Sequence, residues 1–418
     1  MISNIYIFII YYLLISLSIV GYGLILFSFS QNLKISSNFG YAGLTGLLIL
    51  CIYSYFSSFF YEHSSIHNLI LIFIGFAYFT FFNLKKIDYQ FKIIFIFLFV
   101  YFIGMLIYKS HDDFPYYHFQ YTYYLTQMPS VIGIGNFNLG FRTPSSIFYL
   151  NSLFYLPYIK FYSFNFGQQF ISLFSILFFF QKIFQNESKL DSIKLYSVLS
   201  LLFTLIVFYR LAEHGTDRSG QILIFVLVIL IMEFLNDKNN YKKLTLFLII
   251  LSFVVTLKSY FIIFGILILP IIFNKKFSYN IFRSIIFSNT FCFIIILLIL
   301  NFGAQMTNTG CLLYPINFTC FDNFIWSFNS KYINDMNTHY ELWSKSGANP
   351  NWRVENIQEY LAGLNWIDNW IKSYFFNKVL DFVAGLCAIT LITYLFIRKN
   401  LYLNHKINMN YFIIFIIF

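Results

Sequence analysis

Residues 219–235 read SGQILIFVLVILIMEFL, and this stretch decides the fold class of the chain. Glu233 is its one ionisable residue, whereas Arg218 precedes the stretch and Asp237 and Lys238 follow it. A bilayer crossing requires about 20 consecutive apolar residues in a helix, within a range of roughly 17–25. The stretch therefore predicts a transmembrane helix that has charged residues at both ends.

The whole chain is similar in composition. Of its 418 residues, 59% are hydrophobic and 11% are charged, whereas a typical soluble domain has about 25% charged residues. Such a chain cannot cover a soluble surface with polar groups, which excludes soluble enzymes, coiled coils and disordered proteins. The net charge of +10 does not indicate a nucleic-acid partner, because the basic residues lie in short loops between apolar runs. Further spans are predicted at 5–29, 40–60, 67–84, 91–108, 165–184, 193–209, 281–303 and 373–397.

Two other apolar stretches need a separate interpretation. The stretch 244–273 is too long for one helix and is interrupted at Lys258 and Ser259, so we expect two short helices. The run 411–418 is too short to cross a bilayer. Either this tail is frayed or the chain is truncated within a twelfth span, and we favour truncation. The predicted fold class is an all-α, polytopic membrane protein with about 11–12 transmembrane helices.

The loops between these spans form two alternating sets. By the positive-inside rule, the basic set is cytoplasmic and the acidic set is external. The basic set contains Lys34, Lys85, Lys86, Lys92, Lys182, Lys189, Lys194, Lys238, Lys242, Lys243, Lys275, Lys276, Arg283, Arg398, Lys399 and Lys406. The acidic set contains Glu62, Asp112, Asp113, Glu213, Asp217 and six acids of the loop 304–372.

This alternation requires that residues 146–162 do not cross the membrane. Asn151, Pro157 and Lys160 interrupt that segment, and we predict a helix lying in the membrane interface. The external face then has three substantial loops, at 109–164, 210–218 and 304–372. A catalytic or binding site is therefore expected to face outward.

The first external loop begins with two histidines and two adjacent carboxylates: His111, Asp112, Asp113 and His118. Like charges and partial burial raise the pKa of a carboxyl group, which suits a general base. The histidines could orient the acids, bind phosphate when protonated, or ligate a metal. The alternative is a solvated helix cap, since Asp is common at that position and Pro115 suits a first turn. Adjacent residues on a helix point about 100° apart, and we expect Asp113 rather than Asp112 to face the site.

The same loop continues with a dense polar segment. Polar groups next to membrane segments are costly unless they have a function, so Arg142 is a candidate phosphate-binding residue. The alternative interpretation is a flexible surface loop. The segment contains Gly133, Gly135, Asn136, Asn138, Gly140, Arg142, Thr143, Ser145 and Ser146.

The second external loop places five ionisable residues between two spans: Arg210, Glu213, His214, Asp217 and Arg218. On a continuing helix the two acids, four positions apart, would share a face. Together with His214 they could bind a divalent cation such as Mg²⁺ or Mn²⁺. The two arginines could instead bind a phosphate, or the loop could be a solvated turn with internal ion pairs.

Lys258 interrupts the stretch 244–273 near its predicted external turn. One interpretation is a lysine that extends to the membrane interface. The other is a phosphate partner that faces the same cavity as the two loops.

The long loop 304–372 contains a cysteine pair and an amphipathic pattern. Cys311 and Cys320 lie in an external loop, where disulfides persist, and we predict a bridge between them. Beyond Pro350, apolar residues recur at helical spacing and predict one amphipathic helix leading into the span 373–397. That apolar stripe contains Val354, Ile357, Leu361, Leu364, Ile367, Ile371 and Tyr374.

The order of these features resembles the GT-C superfamily of integral membrane glycosyltransferases. With 91–108 as the first core helix, a long external loop follows with acids at its start and an interfacial helix. Six further spans and a second long external loop come next. The run Asp113-Phe-Pro-Tyr-Tyr-His118 is similar to the Asp…Tyr-His pattern of bacterial members, and the resemblance extends over residues 90–397. The spans before residue 90 are additional to the pattern.

The resemblance implies a catalytic Asp113, and a second acidic motif at Glu213 and Asp217. It also implies four parts, namely extra N-terminal helices at 1–89, a core at 90–303, the loop 304–372 and C-terminal helices at 373–418. The expected partners are a polyprenyl-phosphate-linked sugar donor, a glycan, lipid or protein acceptor, and the lipid bilayer. The expected location is a bacterial inner membrane, with the active site facing the periplasm.

The leading hypothesis for function is sugar transfer for cell-surface polysaccharide or glycoconjugate synthesis. Asp113 would act as the base, with Asp112 beside it, and the leaving phosphate would be stabilised by cations. The alternatives are a flippase or transporter of a lipid-linked or small polar solute, and a polysaccharide polymerase or ligase. The expected substrate- or phosphate-binding residues are His118, Arg142, Arg210, Arg218 and Lys258.

Overall fold

The computed structural model describes residues 2–29, 38–83, 90–106, 110–184, 191–236, 241–269, 279–349 and 351–404. Predictions about Lys85, Lys189, Lys275 and the tail 411–418 concern residues outside these ranges. In the described part the chain is almost entirely helical. The described residues contain a small two-stranded antiparallel sheet of β1 (Ala348–Asn349) and β2 (Trp352–Arg353).

The helices follow the predicted spans closely. The split predicted within 244–273 occurs at Lys258, where a 3₁₀-helix, Ser259–Ile268, follows an α-helix. A π-turn at Phe114–His118 leads into the first helix of the first loop, and a second π-helix at Ile371–Val379 leads into the last helix. The α-helices are α1 (Ile2–Phe29), α2 (Phe39–Ser58), α3 (Ser65–Asn83), α4 (Gln90–Met105), α5 (Phe119–Gln127), α6 (Ser146–Leu153), α7 (Phe166–Phe184), α8 (Asp191–Val207), α9 (Thr216–Asn236), α10 (Tyr241–Leu257), α11 (Tyr279–Ile286), α12 (Asn289–Thr309), α13 (Ser330–Ser344), α14 (Ile357–Leu361), α15 (Ile367–Trp370) and α16 (Leu380–Asn404).

Six helices of the described residues are long and apolar enough to cross a membrane, and five further apolar helices are shorter. The chain is thus an all-α, polytopic membrane protein, which confirms the predicted fold class at that level. The stretch 219–235 is the centre of the bundle. Every residue from Ile222 to Met232 in α9 is buried, so this helix contacts protein on all sides.

The N-terminal helices pack through glycines. A Cβ atom on Gly46 of α2 would overlap the backbone oxygen of Ile19 in α1, and one on Gly21 would overlap the backbone oxygen of Gly75 in α3. Close backbone approach at small residues supplies van der Waals contact where lipid offers no hydrophobic driving force between helices. The hydroxyl of Tyr12 donates a 3.0 Å hydrogen bond to the Leu98 carbonyl and so joins α1 to α4.

Contacts between helix ends define two opposite faces of the bundle. At one face, Lys182 at the end of α7 forms a 2.6 Å ion pair with Glu233 near the end of α9. Lys242 lies in the first turn of α10, and Lys258 directly follows the last turn of the same helix. The two lysines are therefore at opposite ends of α10, and Lys242 lies at the face of Lys182. At the other face, Lys258 contacts Asp217 at the start of α9. The predicted separation of Lys242 from the acidic loops is therefore present, whereas the face that points out of the cell remains a prediction.

The segment 146–162 differs from the predicted interfacial helix. Its helix, α6, ends after eight residues at Leu153, and all eight are buried. Ser54 of α2 donates a 2.6 Å hydrogen bond to the Tyr149 carbonyl, which fixes α6 inside the bundle. Eight residues rise only about 12 Å, so α6 does not cross a membrane. The chain then turns, with a positive φ of 68° at Tyr158.

Two helix boundaries were predicted wrongly. The span predicted at 281–303 is interrupted before Asn289, because the Ser288 side chain accepts from the Phe291 N–H at 3.2 Å and caps a new helix. The single amphipathic helix predicted beyond Pro350 is divided into α14 and α15. Gly363, at a φ of 56°, interrupts the helical conformation between them, since only glycine adopts that region readily.

The helix α13 was not predicted, although the sequence contains a signal for it. The side chain of Asn329 accepts from the Tyr332 N–H at 2.8 Å, and asparagine is a preferred residue at this capping position. The helix is mostly polar, so hydrophobic periodicity alone could not reveal it. It shows that the long loop 304–372 is folded.

The glycine packing gives a prediction about stability. We expect Gly46→Ala to lower the free energy of unfolding by about 1–3 kcal/mol or more, because the new Cβ requires α1 and α2 to separate. The measurement is thermal unfolding of the full chain in detergent. Gly303→Ala in α12 is the matched control, since a Cβ there has no atom within 4 Å and alanine is the better helix former by roughly 0.5–1 kcal/mol. Equal melting temperatures for the two variants would contradict the packing.

Candidate functional site

The first loop begins with a π-turn that gathers its polar side chains. Pro115 lies within this turn, and the Phe119 N–H bonds to the Phe114 carbonyl five residues earlier. The backbone N–H of Asp113 donates to Nδ1 of His111 at 3.1 Å. The rings of His111 and His118 stack with centroids 5.3 Å apart. The wide turn thus brings residues 111, 113 and 118 to one place.

Asp113 is the centre of this group. The hydroxyl of Tyr117 donates to its Oδ2 at 3.0 Å, and Nδ1 of His111 lies 3.9 Å from the same oxygen. The Asp113 side chain is 47% exposed, so it is accessible from outside the protein. It occupies a helix-cap position but makes no capping hydrogen bond, which disfavours the alternative of a simple cap. Asp112 is exposed in the preceding turn.

Burial and neighbouring charges set the protonation of the two residues that follow. Burial, together with the negative charges of Asp113 and Asp217, raises the pKa of Tyr117 well above its usual value. Tyr117 therefore remains a hydrogen-bond donor. Burial, reinforced by His111 and Lys258, lowers the pKa of His118 to about 3. The His118 imidazole is consequently neutral near pH 7, so the predicted binding of phosphate by a protonated His118 does not fit this environment.

Asp217 and Lys258 form the second part of the site. Asp217 lies in the first turn of α9, and its Oδ1 is 2.5 Å from the Lys258 Nζ. The hydroxyl of Tyr260 donates to the same oxygen at 3.1 Å. The Asp217 and Lys258 side chains are 44% and 34% exposed. This ion pair joins the start of α9 to the end of α10.

The two parts meet at Gly215. A Cβ atom there would lie 2.8 Å from Cδ2 and 2.9 Å from Nε2 of His111, so the His111 ring packs on the second loop. The charge of Asp217 contributes to the raised pKa of Tyr117, and the charge of Lys258 contributes to the lowered pKa of His118. The ion pair is therefore close to these two residues. A carboxylate, a tyrosine and an ion pair from three separate segments therefore converge at one end of the bundle.

Other residues of the second loop form a separate group. Nη1 of Arg210 lies 3.4 Å from the Glu213 carboxylate, and the Arg218 guanidinium lies over the Phe208 ring, 5.7 Å from its centroid. His214 is buried, with its Nε2 2.8 Å from the Phe208 carbonyl. Burial lowers the pKa of His214 to about 4.

The predicted cation site in the second loop depended on a helix that continues from Glu213 to Asp217. The helix does not continue through Glu213 and Asp217, because Leu211–Glu213 is a 3₁₀-turn and the backbone is extended at His214 before α9 begins. The shared face on which that prediction depended is absent. Among the described residues, the three metal-ligating side chains whose ligand atoms approach one another are His111, Asp113 and His118.

Arg142 joins two loops. Its Nε donates to the Gly135 carbonyl and its Nη1 to the Tyr314 hydroxyl, both at 3.1 Å. The guanidinium also lies 4.4 Å from the Phe328 ring centroid. The side chain is buried, so Arg142 is placed to hold the first loop against the long loop rather than to bind an exposed phosphate.

The long loop is also fixed by its cysteines. Cys311 and Cys320 form a disulfide, as the sequence predicted. The Leu312 N–H bonds to the Thr319 carbonyl at 3.0 Å between them. The bonded pair lies directly after α12, whose Asn308 side chain donates to the Tyr121 hydroxyl of the first loop. The disulfide therefore fixes the segment that directly follows α12.

Sequence reasoning missed Tyr117 and Tyr260 as parts of the site. Each hydroxyl donates to a site carboxylate, of Asp113 and Asp217 respectively. The spacing of Tyr117 from Asp113, four positions, was a usable signal because helical residues at that spacing lie on one face. Tyr260 gave no comparable signal, since it meets Asp217 only through the packing of α9 against the 3₁₀-helix Ser259–Ile268.

The Arg142 contacts predict a role in stability. We expect Arg142→Lys to lower the free energy of unfolding by about 1–3 kcal/mol, since the compact lysine ammonium lacks the planar group that stacks on the rings while bonding to both acceptors. Hydrogen exchange in residues 310–332 should also become faster. Arg353→Lys, at an exposed arginine of β2, is the control and should change neither quantity. Unchanged exchange in the Arg142 variant would refute the proposed link between the loops.

Comparison with known proteins identifies a family but not an activity. No curated protein and no solved structure matches the chain. A family model described as a domain of unknown function, DUF8201, matches residues 5–418. The chain thus belongs to the DUF8201 family.

Proposed function

We propose that this protein is a membrane glycosyltransferase that moves a sugar from a lipid-phosphate donor to an acceptor hydroxyl. The observation that carries the proposal is the convergence of the half-exposed Asp113 carboxylate with the Asp217–Lys258 ion pair at the end of an apolar helix bundle. Such a site offers a base for one substrate and a cation for the other. The resemblance to the GT-C superfamily supports the same activity.

Asp113 is the proposed general base. Its carboxylate accepts the proton of the acceptor hydroxyl as the acceptor oxygen bonds to the anomeric carbon. The bond from that carbon to the phosphate oxygen breaks, and the lipid phosphate leaves with the electron pair. Tyr117, which donates to Oδ2 at 3.0 Å, holds the carboxylate in one orientation during this step.

Lys258 is the proposed partner of the leaving phosphate. A positioned cation stabilises the charge that develops on the phosphate oxygens. In the structure its Nζ contacts Asp217 at 2.5 Å, while about a third of the side chain remains exposed. Asp217 thus positions the ammonium group. Arg210 and Arg218 belong to the separate group around Phe208 and Glu213, so Lys258 is the cation we assign to the phosphate.

The helix after Lys258 suits a lipid-linked donor. Ile262, Ile263 and Ile266 of the 3₁₀-helix are exposed, and exposed apolar side chains of a membrane protein face lipid. Lys258, where the charged phosphate of the donor would lie, is therefore next to an apolar surface. A polyprenyl tail could lie along this surface while the phosphate stays at the polar end.

The test compares two neighbouring carboxylates. Asp113→Asn preserves shape but removes the base, and we expect transfer to fall by roughly 10²–10⁴-fold. Asp112→Asn makes the same change at the adjacent exposed residue and should leave transfer close to wild type. The assay measures incorporation of sugar from membrane-extracted lipid-linked donors, with glycan profiling of cells that express each variant at equal level.

Two further results decide between the proposal and its alternatives. Normal transfer by the Asp113 variant would exclude Asp113 as the base. Loss of transfer in Arg210→Ala together with normal transfer in Asp113→Asn would indicate the polymerase or ligase alternative, which depends on arginine.

A further inference from the structure

We propose that His111, Asp113 and His118 form a binding site for a divalent transition-metal ion, with Zn²⁺ as the best match. One ligand atom from each residue lies within 4.8 Å of the others. All three side chains come from one short segment, because the π-turn brings residue 118 back beside residues 111 and 113. The site differs from the cation site predicted in the second loop, whose Glu213 and Asp217 do not lie on one continuous helix.

The state of His118 is the independent observation for a ligand. Its residue is 4% exposed, and its Nε2 has no hydrogen-bond partner among the described residues. Buried polar atoms without a partner are rare in proteins, so this one requires an explanation. A bound metal ion would give the buried imidazole the interaction that it lacks.

The geometry leaves room for an ion and an outer ligand. Metal bonds of 2.0–2.2 Å place tetrahedral ligand atoms about 3.3–3.6 Å apart, which requires a small inward shift from the present positions. On binding, Nδ1 of His111 would lose its hydrogen bond from the Asp113 N–H and would contact the ion instead. His111 and Asp113 are 32% and 47% exposed, so a water or substrate could occupy a fourth position, as in open zinc sites.

The surrounding residues support this site. Tyr117 bonds to the Asp113 carboxylate at 3.0 Å, and hydrogen bonds of this kind orient carboxylate ligands of metals. The positive charge of Lys258 would oppose cation binding, but the contact of its Nζ with Asp217 offsets that charge.

The ligand types select the metal. Two imidazoles and one carboxylate suit Zn²⁺ and its transition-metal neighbours, whereas Mg²⁺ prefers oxygen ligands and water.

The metal site does not depend on the proposed transfer reaction, although both would use Asp113. A carboxylate oxygen that binds the ion cannot also accept a proton, so binding is measured directly and not through activity.

The experiment uses purified full-length protein in detergent, stripped with a chelator and then titrated with Co²⁺. We expect one Co²⁺ per chain with the visible absorption of a site that has nitrogen ligands, and displacement by Zn²⁺ but not by Mg²⁺. His118→Gln and His111→Gln should each weaken binding by more than tenfold. The second variant changes a residue whose side chain is 32% exposed, so it tests the site even if the first variant folds poorly.

Matched controls separate the site from adventitious binding. His339→Gln removes a histidine of α13, and Asp112→Asn removes the adjacent exposed carboxylate; both should bind like wild type. Absence of stoichiometric binding, or equal binding by the His111 variant and wild type, would overturn the proposal. Binding without sugar transfer would leave the metal site standing and count against the proposed function alone.

Discussion

The high cost of placing charge in lipid is the constraint that arranges this molecule. A charged side chain at the bilayer centre costs about 2.5–3.5 kcal/mol on insertion scales, so the ionisable groups collect at the two ends of the bundle. Helix α9 shows the result most directly. It is buried from Ile222 to Met232, with Asp217 paired to Lys258 at one end and Glu233 paired to Lys182 at the other. The candidate site is at the end of α9 where the Asp217–Lys258 pair lies next to the first and second loops.

The same constraint explains what could be predicted from the sequence. Long apolar runs can only be helices in lipid, because each backbone polar group must find its partner within the helix. The positions of the spans and the break at Lys258 followed from this. Local signals also sufficed for the disulfide between Cys311 and Cys320, since the two cysteines are close in sequence and lie in the same loop.

The rest depended on packing that the sequence does not display. The pairing of Asp217 with Lys258 arises because α9 and α10 lie side by side, and no spacing along the chain reveals it. The contact of His111 with Gly215 depends likewise on how two loops fold over one another. Sequence reasoning placed Arg142 in a binding role because it is charged, whereas its aromatic neighbours come from the distant residues 314–332.

The first and second loops meet to form one site, and this meeting can be measured by cross-linking. The ring of His111 lies within 3.2 Å of the position of a Gly215 Cβ, so cysteines at these two positions should fall within disulfide range, with Cβ atoms about 3.5–4.5 Å apart. We expect rapid oxidation of the His111→Cys/Gly215→Cys pair, quantified by mass spectrometry of the intact membrane protein. We also expect a much lower yield for Asp112→Cys/Gly215→Cys. Equal yields for the two pairs, or no cross-link in the first, would contradict the account.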